Sequence, residues 1–103
     1  MKESSTAWLD GLIVEEQVEF TAFELCRATG TSEYQLALWI DQGAIEPKRV
    51  NGNEAPYFDG VSLRRVRTAR RLARDLQINA AGIALALDLL DELEVLRAQL
   101  LRR

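Results

Sequence analysis

Four stretches of this chain carry apolar residues at helical spacing, and each is opened by a small polar residue suited to capping a helix. Thr21 precedes a first stretch with Phe23, Leu25, Cys26 and Ala28 as its apolar positions. Thr21 and Glu24 stand at capping-box spacing, in which hydroxyl and carboxylate each satisfy an otherwise unpaired backbone N–H. Thr29-Gly30-Thr31-Ser32 reads as a turn, with Gly30 free to adopt positive φ and Thr31 or Ser32 capping the next helix. That second helix presents Leu36, Trp39 and Ile40 to a core and stops at Gly43. Asp59 opens a third, with Leu63, Val66, Ala69, Leu72, Ala73 and Leu76 as its buried stripe; Asn79 opens a fourth that runs to the C-terminus.

Shorter extended pieces lie between. Gln17-Val18-Glu19-Phe20 alternates polar and apolar, as a strand does. Val50-Asn51-Gly52-Asn53 is a hairpin turn between an outgoing piece near Ala44-Ile45-Glu46-Pro47 and a return strand at Pro56-Tyr57-Phe58. Together these predict a mainly α fold, a winged helix-turn-helix with a small β wing and a long C-terminal helix. The expected organisation is a loosely held lead-in over residues 1–16, a core over 17–78, and a dimerisation helix over 79–103.

The fourth helix carries two stripes. Ala86, Leu89, Leu93, Leu96 and Leu100 repeat at the 3-4 spacing of a coiled-coil seam. Ile83, Leu87, Leu90 and Leu101 form a second stripe, interrupted by Glu94 and Arg97. From Ile83 to Leu90 the helix is apolar nearly all round, so its own domain and something else should enclose it. At roughly 1.5–3 kcal/mol for each leucine withdrawn from water, a homodimer is the simplest way to cover the seam. A groove on another protein is the alternative.

Composition narrows the function. The chain has 103 residues, 48% hydrophobic and 28% charged, which suits one globular domain with a modest core. No apolar run is long enough for a membrane span, and no signal peptide is evident. One cysteine, Cys26, cannot form an internal disulfide, which fits a reducing cytoplasm; its place in an amphipathic helix makes it a small core residue. Without histidine, a metal site or general acid–base chemistry is not expected, no phosphate loop or nucleophile elbow is present, and neither catalytic residues nor a cofactor are anticipated.

Charge is segregated. Residues 1–47 hold nine acids against Lys2 and Arg27, whereas residues 48–74 hold eight bases against Glu54 and Asp59. The third helix concentrates Arg64, Arg65, Arg67, Arg70, Arg71 and Arg74, of which 64, 67, 71 and 74 line one side. A phosphate-binding face is one reading; a solvated face with some pairs to acidic neighbours is the favoured one. The second helix, which in a DNA reader would lie among phosphates, offers Glu33 and Asp41 and no cation.

In order, these features resemble a MerR-type winged helix, and more narrowly the CbpM family of chaperone modulators. The carriers are Phe20-Thr21-Ala22-Phe23-Glu24-Leu25-Cys26, Thr29-Gly30-Thr31-Ser32-Glu33, Gly43-Ala44-Ile45-Glu46-Pro47 and Gly82-Ile83-Ala84-Leu85-Ala86-Leu87. The resemblance spans about residues 17–101. DNA-binding members of the MerR group usually place an Arg-Tyr-Tyr-like triplet where this chain has Ala37-Leu38-Trp39, and a Tyr-Arg pair where it has Ala55-Pro56. Both departures remove cationic phosphate contacts.

The resemblance implies a non-enzymatic regulator that binds the J-domain of a DnaJ-like, CbpA-like co-chaperone and blocks its stimulation of the Hsp70 DnaK. J-domains present a basic helix to Hsp70, so carboxylates should meet it: Glu33, Asp41 and Glu46 are the expected contacts, with Tyr57 as an aromatic anchor. Arg64, Arg67 and Arg71 form the competing face, since J-domains also carry acidic patches. The alternative function is a MerR-type DNA-binding transcriptional regulator working through the arginines of the third helix.

Overall fold

The computed structural model describes residues 18–49 and 55–102. It is mainly helical: α1 spans Ala22–Thr29, α2 Glu33–Asp41, α3 Gly60–Leu76 and α4 Ala80–Leu101. Each begins where the polar caps place it. The Thr21–Glu24 box is closed in both directions, at 2.9 and 3.0 Å, and Ser32, Asp59 and Asn79 each accept from the backbone N–H three residues on. Gly30 ends α1 at φ 70°, where a Cβ would be strained, and Gly43 follows α2 at φ 82°. The end of α3 breaks that habit: Gln77 adopts the left-handed region at φ 56°.

The core gathers one stripe from every helix. Leu25 and Cys26 of α1, Leu36 and Trp39 of α2, Leu63, Val66 and Ala69 of α3, and Ile83 and Leu87 of α4 pack with Ala44, Ile45 and Phe58. Ile40, Leu72 and Ala73 lie at its edge. Three anticipated core positions face water instead. Phe23 and Ala28 lie off the Leu25–Cys26 stripe of a helix only two turns long, and Phe23 stands under the Arg27 guanidinium at 5.7 Å. Leu76 is the last residue of α3, past the point where the core ends, and is 64% exposed.

Of the anticipated β wing, the described residues show two isolated antiparallel bridges, Phe20 with Phe58 and Lys48 with Tyr57, and no named strand. Consecutive N–H groups of an extended chain point to opposite sides. Tyr57 therefore exchanges hydrogen bonds with Lys48 on one side, and Phe58 with Phe20 on the other, at 2.7–2.9 Å. One residue each way suffices to tie the segment just before α1 and the exit of α2 to the start of α3. The hairpin turn at Val50–Asn53 and the lead-in over residues 1–16 lie outside the described residues.

Two arginines of α3 hold the helix-turn-helix. Arg65 Nε donates to the carbonyl of Ala44, just past α2, and Arg70 Nε donates to the carbonyl of Gly30, just before it. Both ends of α2 are thus pinned to α3. Arg65 also reaches α4, with Nη1 2.6 Å from Asp91 and Nη2 3.8 Å from Asp88. The first two turns of α4 pack on the domain, whereas from Asp88 onward every described position is exposed.

Candidate partner-binding site

On α2, the side opposite the core stripe is the one left open. Leu36 and Trp39 face inward, and Trp39 is fully enclosed. At about 100° per residue, Glu33, Tyr34, Ala37 and Asp41 then share a single outward stripe, and all four are exposed. No base lies on it. Trp39, which occupies the triplet position where DNA readers carry an aromatic, belongs to the core.

Tyr34, at 74% exposed the most accessible aromatic side chain on α2, was not singled out in the sequence. Its signal was present in the spacing of 34, 37 and 41, which is the complement of the Leu36–Trp39–Ile40 stripe. An aromatic flanked by two carboxylates is chemistry suited to a protein surface that is basic and partly apolar.

The other anticipated contacts lie elsewhere. Glu46 is exposed and lines a recess with Lys48, Asp59, Asp88 and Asp91, beside the Arg65 clamp. Tyr57 is half-buried and held by its bridge to Lys48. The structure therefore unites Glu33 with Asp41 and gives Glu46 and Tyr57 different surroundings. Partial burial pushes the Asp59 carboxyl up, but the Ser62 N–H and the Lys48 charge together hold it below the ordinary carboxylate value.

On α3, Arg64, Arg67, Arg71 and Arg74 are exposed, while Arg65 and Arg70 are half-buried in their carbonyl contacts. Arg74 pairs with Asp75. Arg64 and Arg71 line a groove between α3 and α4, with Leu87, Leu90 and Leu93 as its apolar wall; Arg67 does not line it.

The seam residues of α4 form an open ridge. Ala86 is half-buried, and Leu89, Leu93, Leu96 and Leu100 are all more than half exposed. Leu85, Leu90 and Leu101 add to the uncovered apolar surface. Among the described residues there is no group of three or more metal-ligating side chains, and no helix long and apolar enough to cross a membrane.

Comparison with known proteins agrees with this geometry. The profile of the MerR HTH family regulatory protein matches residues 20–102, which include all four helices. Chaperone modulatory protein CbpM of Coxiella burnetii (strain Dugway 5J108-111) is 35% identical over 92 residues, covering 89% of this chain and 86% of the relative. The CbpM of Citrobacter koseri is 37% identical over 87 residues, covering 84% and 85%. That of Escherichia coli O139:H28 is 34% identical over 82 residues, covering 80% of each chain. With a helix-turn-helix whose outward stripe is acidic, and with relatives this similar over most of their length, the chain belongs to the CbpM family of chaperone modulatory proteins, within the MerR-type helix-turn-helix group.

Proposed function

We propose that this chain is a non-enzymatic chaperone modulator that binds the J-domain of a DnaJ-like, CbpA-like co-chaperone through α2 and thereby blocks stimulation of the Hsp70 DnaK. The observation that carries the reading is the outward stripe of α2: Glu33, Tyr34, Ala37 and Asp41, with no cation among them. A helix laid against phosphates needs positive charge, whereas one laid against a basic helix needs carboxylates and an apolar anchor. The working species is a homodimer through the α4 ridge, in the cytoplasm.

Titration calorimetry with the J-domain tests the contact. Binding is expected at micromolar affinity or better, weakened about tenfold or more by Glu33→Lys or Asp41→Lys, since a reversed charge at a complementary interface costs on the order of 1.4 kcal/mol or more. An absence of heat, or an affinity that neither variant changes, refutes the α2 contact.

The four exposed arginines of α3 support a second reading, a MerR-type regulator that binds DNA. With Arg65 and Arg70 engaged internally and Arg74 paired, few phosphate contacts remain. A dependence of log affinity on log salt with slope steeper than about −4 per chain would favour this reading over the first.

A further inference from the structure

The ridge on α4 has a heptad register, and its flanks carry opposite charge. Ala86, Leu93 and Leu100 take the a positions, and Leu89 and Leu96 the d positions. Glu92 then stands at g and Arg97 at e, on opposite sides of the ridge. Both are exposed, and among the described residues neither makes an ion pair within its own chain. One heptad earlier the same flanks carry Leu85 and Leu90, 61% and 44% exposed, which widen the apolar strip.

Leu93 belongs to two surfaces. It is a central residue of the ridge, and with Leu90 and Arg97 it lines the groove between α3 and α4, whose far side carries Arg64 and Arg71. Ridge and groove edge are therefore one continuous face, and whatever covers the ridge also meets a basic rim. The helix-turn-helix packs on Ile83 and Leu87. These lie about 120° around α4 from the ridge, so the domain leaves that face open. The face calls for an occupant with an apolar centre and an acid on the flank set against Arg97. A second α4 has that composition.

Charge fixes its direction. In a parallel, in-register pair each g residue meets the e residue five positions further along the other helix. Glu92 then meets the partner subunit's Arg97, and two-fold symmetry makes the pair twice. Leu85 meets the partner subunit's Leu90 in the same way. An antiparallel pair related by a two-fold axis sets g against g and e against e. Glu92 would then face the partner subunit's Glu92, and Arg97 the partner subunit's Arg97, and like charges so placed oppose association. We propose that α4 pairs in parallel and in register with a second copy of this chain, Glu92 lying against the partner subunit's Arg97. This rests on the homodimer proposed above and adds its direction. Parallel pairing carries both helix-turn-helix units, and so both acidic α2 stripes, at one end of the assembly.

Cysteine pairing tests the direction. A disulfide requires Cα atoms about 4.4–6.8 Å apart. In a parallel, in-register pair every ridge position faces its own copy, so full-length Leu89→Cys and Leu100→Cys should each link to themselves under mild oxidation. Both substitutions replace exposed side chains, and the native Cys26 is buried, so the unaltered chain serves as the unlinked control. The two positions lie about 17 Å apart along the helix. An antiparallel pair centred on one therefore separates the copies of the other by about 33 Å and cannot link both. Self-linking by only one variant, or links formed only when the two variants are mixed, overturns the parallel pairing. Glu92→Lys and Arg97→Glu should each weaken dimerisation several-fold in sedimentation experiments, and the two combined should restore it. A double variant no tighter than the singles also overturns the pairing. Light scattering of the reduced chain separates the two possible failures: a monomer removes the homodimer itself, whereas a dimer that does not self-link removes only its direction.

Discussion

Arg65 Nε donates to the Ala44 carbonyl at 2.9 Å, closing the space between α3 and the exit of α2. Ala44 is buried, so removing the guanidinium leaves its carbonyl without that partner and also frees Asp91. Arg65→Ala is expected to destabilise the fold by roughly 1–3 kcal/mol. Asp91→Asn, which touches only the more exposed half of the clamp, should cost under about 1 kcal/mol. Urea unfolding of the two variants checks the order; equal losses would show that the ion pair, not the carbonyl contact, carries the clamp.

The ridge on α4 makes a prediction about assembly. Leu93 and Leu96 are 52% and 57% exposed in the single chain, so charging them does not disturb its core. Leu93→Asp combined with Leu96→Asp should convert a dimer to a monomer with the helix-turn-helix intact. Light scattering reads the mass and circular dichroism the helicity. An unchanged dimer mass would place the interface elsewhere.

Asp59 gives the stability a pH dependence of known sign. Its folded pKa is held below the usual carboxylate value, so its contribution is fully present above the unfolded pKa of about 3.9 and is lost as pH falls through the folded one. Asp59→Asn keeps an N-cap side chain but removes the titration. Between about pH 5 and pH 2 the stability gap between the two proteins should therefore narrow, as followed by urea midpoints. A gap constant over that range would show that Ser62 and Lys48 do not favour the carboxylate.

Cys26 should behave as a core residue. Burial first, and the negative charge of Glu33 second, push its thiol above the ordinary value, so little thiolate exists at neutral pH. Alkylation of the folded chain is expected to be much slower than in urea, and Glu33→Lys should lower the thiol pKa without exposing it. Rapid labelling under native conditions would mean that α1 opens readily.

How much of this was legible beforehand depends on the range of the interaction. Caps and turns are local chemistry, so Thr21 with Glu24, Gly30, Asp59 and Asn79 could be read in order from the chain and occupy those roles, while of Thr31 and Ser32 it is Ser32 that caps α2. Periodicity likewise located the inward residues of α2 and α4. It failed for Phe23, Ala28 and Leu76, where a short helix or a helix end carries an apolar side chain past the core.

The division of the arginines is the clearest case of what local pattern leaves open. Six of them on one helix look alike in sequence, and helical spacing alone grouped 64, 67, 71 and 74. That Arg65 and Arg70 bond the carbonyls of Ala44 and Gly30, 21 and 40 residues away, follows only once the helices are packed together. The same packing turns Tyr34 outward beside Glu33 and Asp41 and parts them from Glu46. The chain by itself determined its helices, their caps and the acidic character of α2, because those depend on neighbours within one or two turns. The tertiary structure alone decided which charges hold the fold together and which stay exposed, because hydrogen-bond partners distant in sequence are chosen by packing.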